Sequence, residues 1–244
     1  MKNRNVQTLI WVSVLAIAMA YLESSIVVYL RKLYYPEGFS FPLKMIDYPI
    51  AITEFFREIA TIIMLAGIGI LAAKKNIERF AWFIFSFAVW DLFYYVFLKL
   101  LLGWPASLLT WDVLFLVPVT WAGPVIAPVI NSLTMILLAM VIVKSSADTG
   151  TVKTGMWVWV LLILGSLVVI ISYTEEYTRY MLQRFPFSEL WGVSSSESLI
   201  KYGTTFIPQW FNWYIFITGE AMHLAAIILV IVRNIKKKSA GLTP

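Results

Sequence analysis

The chain has 244 residues, of which 60% are hydrophobic and 14% are charged. Soluble domains carry roughly 25% charged residues, so this chain has too little polar surface to cover itself in water. It contains no cysteine, which excludes disulfides, thiolate metal sites and cysteine nucleophiles. Its single histidine, His223, excludes bis-histidine haem ligation and multi-histidine zinc or copper sites within one chain.

The apolar residues fall into blocks of about 20, the length that crosses roughly 30 Å of hydrocarbon as a helix. The pattern predicts an all-α, polytopic helix bundle forming a single transmembrane domain over 1–244, with the lipid bilayer of the cell membrane around it. Lys2 and Arg4 followed by an apolar run resemble a signal peptide, but we expect a retained first span. Six spans are predicted, at about 8–30, 48–73, 79–101, 125–144, 155–174 with an extension to about 184, and 208–232.

The segment 103–124 is apolar but contains Pro105, Pro118 and Pro124. Proline removes a helix donor and clashes with the preceding turn, so we predict a re-entrant or interfacial segment here. The positive-inside rule supports six spans rather than seven. Six spans with both termini cytoplasmic leave seven basic residues outside and place eleven inside: Lys2, Arg4, Lys74, Lys75, Arg79, Lys144, Lys153, Arg233, Lys236, Lys237 and Lys238. Seven spans would instead leave eight inside and ten outside.

Five of the fourteen carboxylates fall within the predicted spans. An ionised side chain at the bilayer centre costs roughly 2.5–17 kcal/mol, depending on the method, so such residues normally face one another or a wet cavity. Under the six-span topology their heights agree, between the midplane and the outer third of the membrane. We therefore expect a single site that opens toward the outer face, built from Glu23, Glu54, Glu58, Asp91, Glu220 and His223.

Helical spacing groups these polar residues further. Arg57 lies three residues after Glu54 and directly before Glu58, which indicates an internal counter-ion on one helical flank. Glu220 and His223 are likewise three residues apart. The supporting polar residues expected beside the acids are Tyr94, Tyr95, Asn212 and Gln209.

Five acids with one arginine and one histidine leave about three negative charges without compensation, which predicts that the cluster holds protons, binds cations, or both. The Glu-x-x-His step, together with acids on neighbouring helices, resembles part of the ligand set of carboxylate-bridged di-metal helix bundles. The position that matches the second histidine of that set is Arg57. The pattern therefore favours at most one divalent metal ion.

Three functions fit this pattern. The first is a cation or metal site serving a redox or hydrolytic membrane role, the second is a proton-coupled small-solute transporter, and the third is a structural subunit of a larger membrane complex. Each is compatible with a homo-oligomer or other membrane partners, and the sequence does not decide whether the chain is an enzyme. Signatures of haem, flavin, nucleotide and retinal binding are absent from the sequence, and nucleic acid is not an expected partner because the basic residues follow the membrane topology.

The topology can be tested because the chain has no native cysteine. We expect cytoplasmic segments at 74–79, 145–153 and 234–244, and external segments at 31–47 and 185–207. A membrane-impermeant thiol reagent added to intact cells should label Glu37→Cys and leave Gly150→Cys unlabelled until the membrane is opened. Labelling of Gly150→Cys from outside intact cells would overturn the six-span topology.

Overall fold

The computed structural model describes residues 2–116, 119–190 and 197–239, and their side chains except those of 2–4 and 236–239. Within these residues, six helices are long and apolar enough to cross a membrane, which confirms the predicted polytopic helix bundle. The elements in chain order are α1 (Lys2–Tyr34), α2 (Tyr48–Ala72), α3 (Asn76–Leu102), β1 (Trp111–Phe115), β2 (Trp121–Pro124), α4 (Ile126–Thr149), α5 (Met156–Met181), α6 (Phe187–Leu190), α7 (Glu197–Gly203) and α8 (Trp213–Ser239).

Local residue chemistry sets the ends of these helices. Gly103 ends α3 in the left-handed conformation, with φ of 67°, and its N–H donates to the carbonyl of Lys99 at 3.1 Å. The last spanning helix begins later than the predicted position 208, because Asn212 caps it. The side-chain oxygen of Asn212 accepts a hydrogen bond from the N–H of Ile215 at 3.3 Å.

The proline-rich segment forms a β-hairpin, and its described part contains no seventh helix. Strands β1 and β2 pair antiparallel, with Asp112 opposite Gly123. The N–H of Val125 donates to the carbonyl of Thr110 at 3.0 Å and extends this pairing. A non-helical segment near lipid needs such internal hydrogen bonds, because hydrocarbon offers its backbone no partner. We call the end of the bundle that carries this strand pair the hairpin end.

The helices form a chain of packed neighbours. Both α1 and α2 pack on α3, α3 packs on α4, α4 packs on α8, and α8 packs on α5. The core between them includes Ala16, Trp82, Phe85, Ile142 and Val230. Helix α2 lies at the periphery, since only 17% of its most apolar stretch is buried.

Helices α5 and α8 cross at two glycines. A Cβ atom at Gly165 would lie 2.7 Å from Cδ2 of His223 and 3.0 Å from the carbonyl oxygen of Gly219. A Cβ atom at Gly219 would lie 2.7 Å from Cγ2 of Val169. Small residues at a crossing let two helix backbones approach closely, as is common in membrane bundles. The crossing therefore sets the imidazole of His223 against the backbone of α5.

We expect Gly165→Ala to lower the free energy of unfolding by about 1–3 kcal/mol, the usual cost of overpacking. Gly67→Ala is the matched control, because Gly67 also lies in a spanning helix and a methyl group there meets nothing within 4 Å. Helix propensity should make that control neutral or stabilising by up to about 1 kcal/mol. Thermal unfolding in detergent, followed by circular dichroism, measures both. Equal stability of the two variants would contradict the close crossing of α5 and α8.

Candidate functional site

Three carboxylates surround the guanidinium of Arg57. Its Nε donates to Oε2 of Glu54 at 2.8 Å, and its Nη1 donates to Oε2 of Glu23. Its Nη2 lies 3.9 Å from Oε1 of Glu58. We call Glu23, Glu54, Arg57 and Glu58 the arginine cluster. The residue predicted as the internal counter-ion thus contacts three of the predicted acids.

The arginine cluster joins two antiparallel helices: α1 runs toward the hairpin end and α2 runs away from it. Glu54 and Arg57 lie one turn apart on α2, and α1 brings Glu23 to the same height. A cavity of about 60 Å³ is bounded by Glu23 and Arg57 and by apolar residues that include Met19 and Met64. One water molecule needs roughly 10–15 Å³ of such space, so the cavity can hold several. The ion pair therefore borders a space large enough for water.

The charges of the arginine cluster do not balance. If all three carboxylates are ionised, one guanidinium leaves two negative charges in excess. Glu58 is the least well paired member, since its contact with Arg57 is the longest and 26% of its side chain is exposed. The excess charge is therefore least compensated at Glu58.

Glu220 and His223 form a second polar centre, between α4, α5 and α8. Their Oε1 and Nδ1 atoms lie 3.4 Å apart, as their helical spacing predicts, and both residues are buried. Thr134 of α4 donates to Oε2 of Glu220 at 2.6 Å. The hydroxyl of Ser166 on α5 lies 3.3 Å from Nε2 of His223. This pair therefore ties three helices together.

Asp91 and Tyr94 lie on α3, between these two centres. Ser132 of α4 donates to Oδ2 of Asp91 at 2.8 Å. The backbone carbonyl of Tyr94 accepts a hydrogen bond from the hydroxyl of Ser24 on α1 at 3.2 Å. Asp91 is thus held by a hydroxyl group of the next helix.

Two predicted supporting residues, Gln209 and Asn212, precede α8 instead of continuing its polar stripe. The backbone N–H of Gln209 donates to Oε1 of Glu176 at 2.7 Å. The side-chain nitrogen of Asn212 donates to Oε2 of Glu175 at 2.9 Å. These contacts fasten the start of α8 to the hairpin end of α5.

The contacts divide the six predicted site residues among different helices. Glu23, Glu54 and Glu58 lie on α1 and α2, Asp91 lies on α3, and Glu220 and His223 lie on α8. Within 2–116, 119–190 and 197–239, no group of three or more His, Asp or Glu side chains is placed to hold a metal ion. The single six-residue site stays a prediction, and its metal has no support from the geometry.

A buried ion pair at the hairpin end was not part of the predicted site. Nη2 of Arg31 donates to Oδ1 of Asp112 at 3.1 Å, and Asp112 is only 1% exposed. The guanidinium lies 3.7 Å from the ring centroid of Trp104 and 4.4 Å from that of Phe39. Burial raises the pKa of Asp112 to about 6, although Arg31 opposes the shift. The one sequence signal for this pair is an aspartate inside the apolar run WDVLF.

Arg57→Ala should lower the free energy of unfolding by about 3–5 kcal/mol, because it leaves half-buried carboxylates between spanning helices without their shared partner. Arg179→Ala is the matched control. Arg179 also pairs with a glutamate one turn away on its own helix, but 66% of its side chain is exposed, so its loss should cost at most about 1 kcal/mol. Thermal unfolding of both variants in detergent checks the difference. Equal losses would mean that the arginine cluster is solvated like a surface pair.

The chain has no match among protein-family models, curated proteins or solved structures. No activity can therefore be carried over from a relative. Its membrane-spanning architecture and the chemistry of its polar centres are the grounds on which a function can be inferred.

Proposed function

We propose that this multi-pass membrane protein binds and releases a proton at the arginine cluster and couples that step to the movement of a small solute. The observation that carries the proposal is the set of three carboxylates that share one guanidinium beside a cavity. Ionisable residues inside spanning helices are costly, and chains of acids and histidines are typical of proton relays in transporters.

A proton fits the arginine cluster better than a metal ion does. The guanidinium lies within ion-pair distance of all three carboxylates, so a metal cation among them would meet a positive charge a few ångströms away. A proton needs one carboxylate oxygen and no coordination shell. A divalent metal ion could use Glu220 and His223 as two ligands. However, Oε2 of Glu220 already contacts Thr134, and Nε2 of His223 already contacts Ser166.

Glu58 is the carboxylate proposed to carry the exchangeable proton. Glu23 and Glu54 each accept a hydrogen bond from Arg57, whereas Glu58 has only the long contact. Protonating Glu58 removes excess negative charge without breaking a hydrogen bond of the cluster. Glu58 is also the most exposed carboxylate of the cluster.

Coupling requires an element whose position depends on the charge of the cluster. Helix α2 meets this requirement, because most of its surface is free of contacts within the chain and Arg57 holds it to Glu23 of α1. A change of charge at Glu58 alters the attraction that Arg57 divides among its partners. The proton is therefore linked to the contact between α1 and α2.

The proposal is tested by infrared titration of the purified protein in lipid nanodiscs from acid to neutral pH. The wild type should lose absorption from protonated carboxyl groups, and Glu58→Gln should lack one carboxyl's share of that change. Glu37→Gln, in the exposed loop after α1, is the matched control and should lose only the share of a solvated carboxyl. Solvated glutamate carboxyls titrate with an ordinary pKa of roughly 4.3. If the share lost in Glu58→Gln titrates over the same range as the share lost in Glu37→Gln, the exchangeable proton is not on Glu58 and the proposal fails.

The metal alternative has a separate readout in the same preparation. Divalent cations added to the wild type would raise its unfolding temperature, and Glu220→Gln and His223→Ala would both abolish that rise. We expect no such rise, because the described residues offer no three-ligand group. A rise that depends on both side chains would favour metal binding over proton exchange.

A further inference from the structure

A second cavity, of about 230 Å³, lies at the end of the bundle opposite the hairpin end. It is enclosed by the start of α1, the turn between α2 and α3, and the end of α4. One water molecule needs roughly 10–15 Å³ of such space, so the cavity has room for a group much larger than water. Since the spanning helices end around it, the cavity lies at a membrane surface.

The polar wall of this cavity is positively charged. Lys74 and Lys75 line it from the turn between α2 and α3, and Glu78 is the acid that faces them. Glu78 already accepts a hydrogen bond from Ser146 and lies 3.5 Å from Nζ of Lys75. Two ammonium groups and one carboxylate leave one positive charge in excess. We call this space the lysine cavity.

Helix α3 adds to the positive potential. Its N-cap residue is Lys75, whose ammonium group has no acceptor for the first N–H groups of the helix. The first N–H groups of a helix have no partner within the helix, and its dipole is positive at that end. A helix N-terminus together with lysine side chains is a common setting for a bound phosphate group.

The buried part of the lysine cavity offers apolar surface. Trp82 and Val143 line it there, beside the hydroxyl of Ser146. A ligand with an anionic head and an apolar continuation therefore matches both parts of the cavity. Basic pockets between spanning helices at a membrane surface bind anionic lipid headgroups in other proteins.

We propose that the lysine cavity binds a phosphate anion, supplied by the headgroup of an anionic membrane lipid. The phosphate contacts Lys74 and Lys75 at the N-terminus of α3, and the glycerol region lies against Trp82 and Val143. This site is separate from the arginine cluster, and it does not depend on the proton proposal.

The test measures the unfolding temperature of the purified, delipidated full chain as lipid or salt is added. The probes are phosphatidylglycerol, phosphatidylcholine and sodium phosphate. Phosphatidylglycerol should stabilise the wild type more than phosphatidylcholine does. The double variant Lys74→Gln/Lys75→Gln should bind phosphatidylglycerol about thirty-fold more weakly, and Lys74→Gln alone about five-fold more weakly.

A second double variant, Lys32→Gln/Lys201→Gln, is the matched control, because it removes two exposed lysines elsewhere and the same net charge. It should keep the wild-type response to lipid. If sodium phosphate alone gives the full stabilisation and the Lys74→Gln/Lys75→Gln variant loses it, the anion site is supported and its source is soluble phosphate. If phosphatidylglycerol acts no better than phosphatidylcholine, or acts equally on both double variants, the proposal is overturned.

Discussion

A guanidinium between spanning helices needs partners, because an unpaired charge buried away from water costs several kcal/mol. Arg57 obtains them from its own helix, at Glu54, and from α1, at Glu23. Helices α1 and α2 contact each other at few other points, so this pairing also fixes how α2 stands beside α1. The guanidinium of Arg57 is thus both the centre of the arginine cluster and the main contact that holds α2 beside α1.

The Glu220–His223 pair has a different physical character. Gly165 lets α5 approach the imidazole so closely that a Cβ there would lie 2.7 Å from Cδ2 of His223, and Thr134 and Ser166 contact the outer atoms of the pair. A buried polar group with all its partners in place rigidifies its surroundings. The arginine cluster instead combines unequal pairing with an adjoining cavity. That contrast is why we propose proton exchange at the arginine cluster and a structural role for the Glu220–His223 pair.

Hydropathy predicts six spanning helices because each crossing needs about 20 apolar residues, and the structure contains six such helices among its described residues. The contact between Glu54 and Arg57 also follows from the sequence, since residues three apart share a helical face. The partner that each acid finds on another helix does not follow, because equal height in the membrane says nothing about which helices are neighbours. The burial of Asp112 depends on strand pairing and on Arg31, 81 residues earlier, which no local pattern reveals.

The 81 residues between Arg31 and Asp112 also affect the order in which this part of the protein can form during synthesis. The ribosome synthesises Arg31 well before Asp112. Arg31 therefore has no ion-pair partner at Asp112 while α2 and α3 are being synthesised. Until then it has to remain among water and lipid headgroups, because burial without a partner is costly. Only when β1 arrives can Trp104 and Phe39 close around the paired guanidinium. The hairpin end can therefore be completed only after the first three helices have been synthesised.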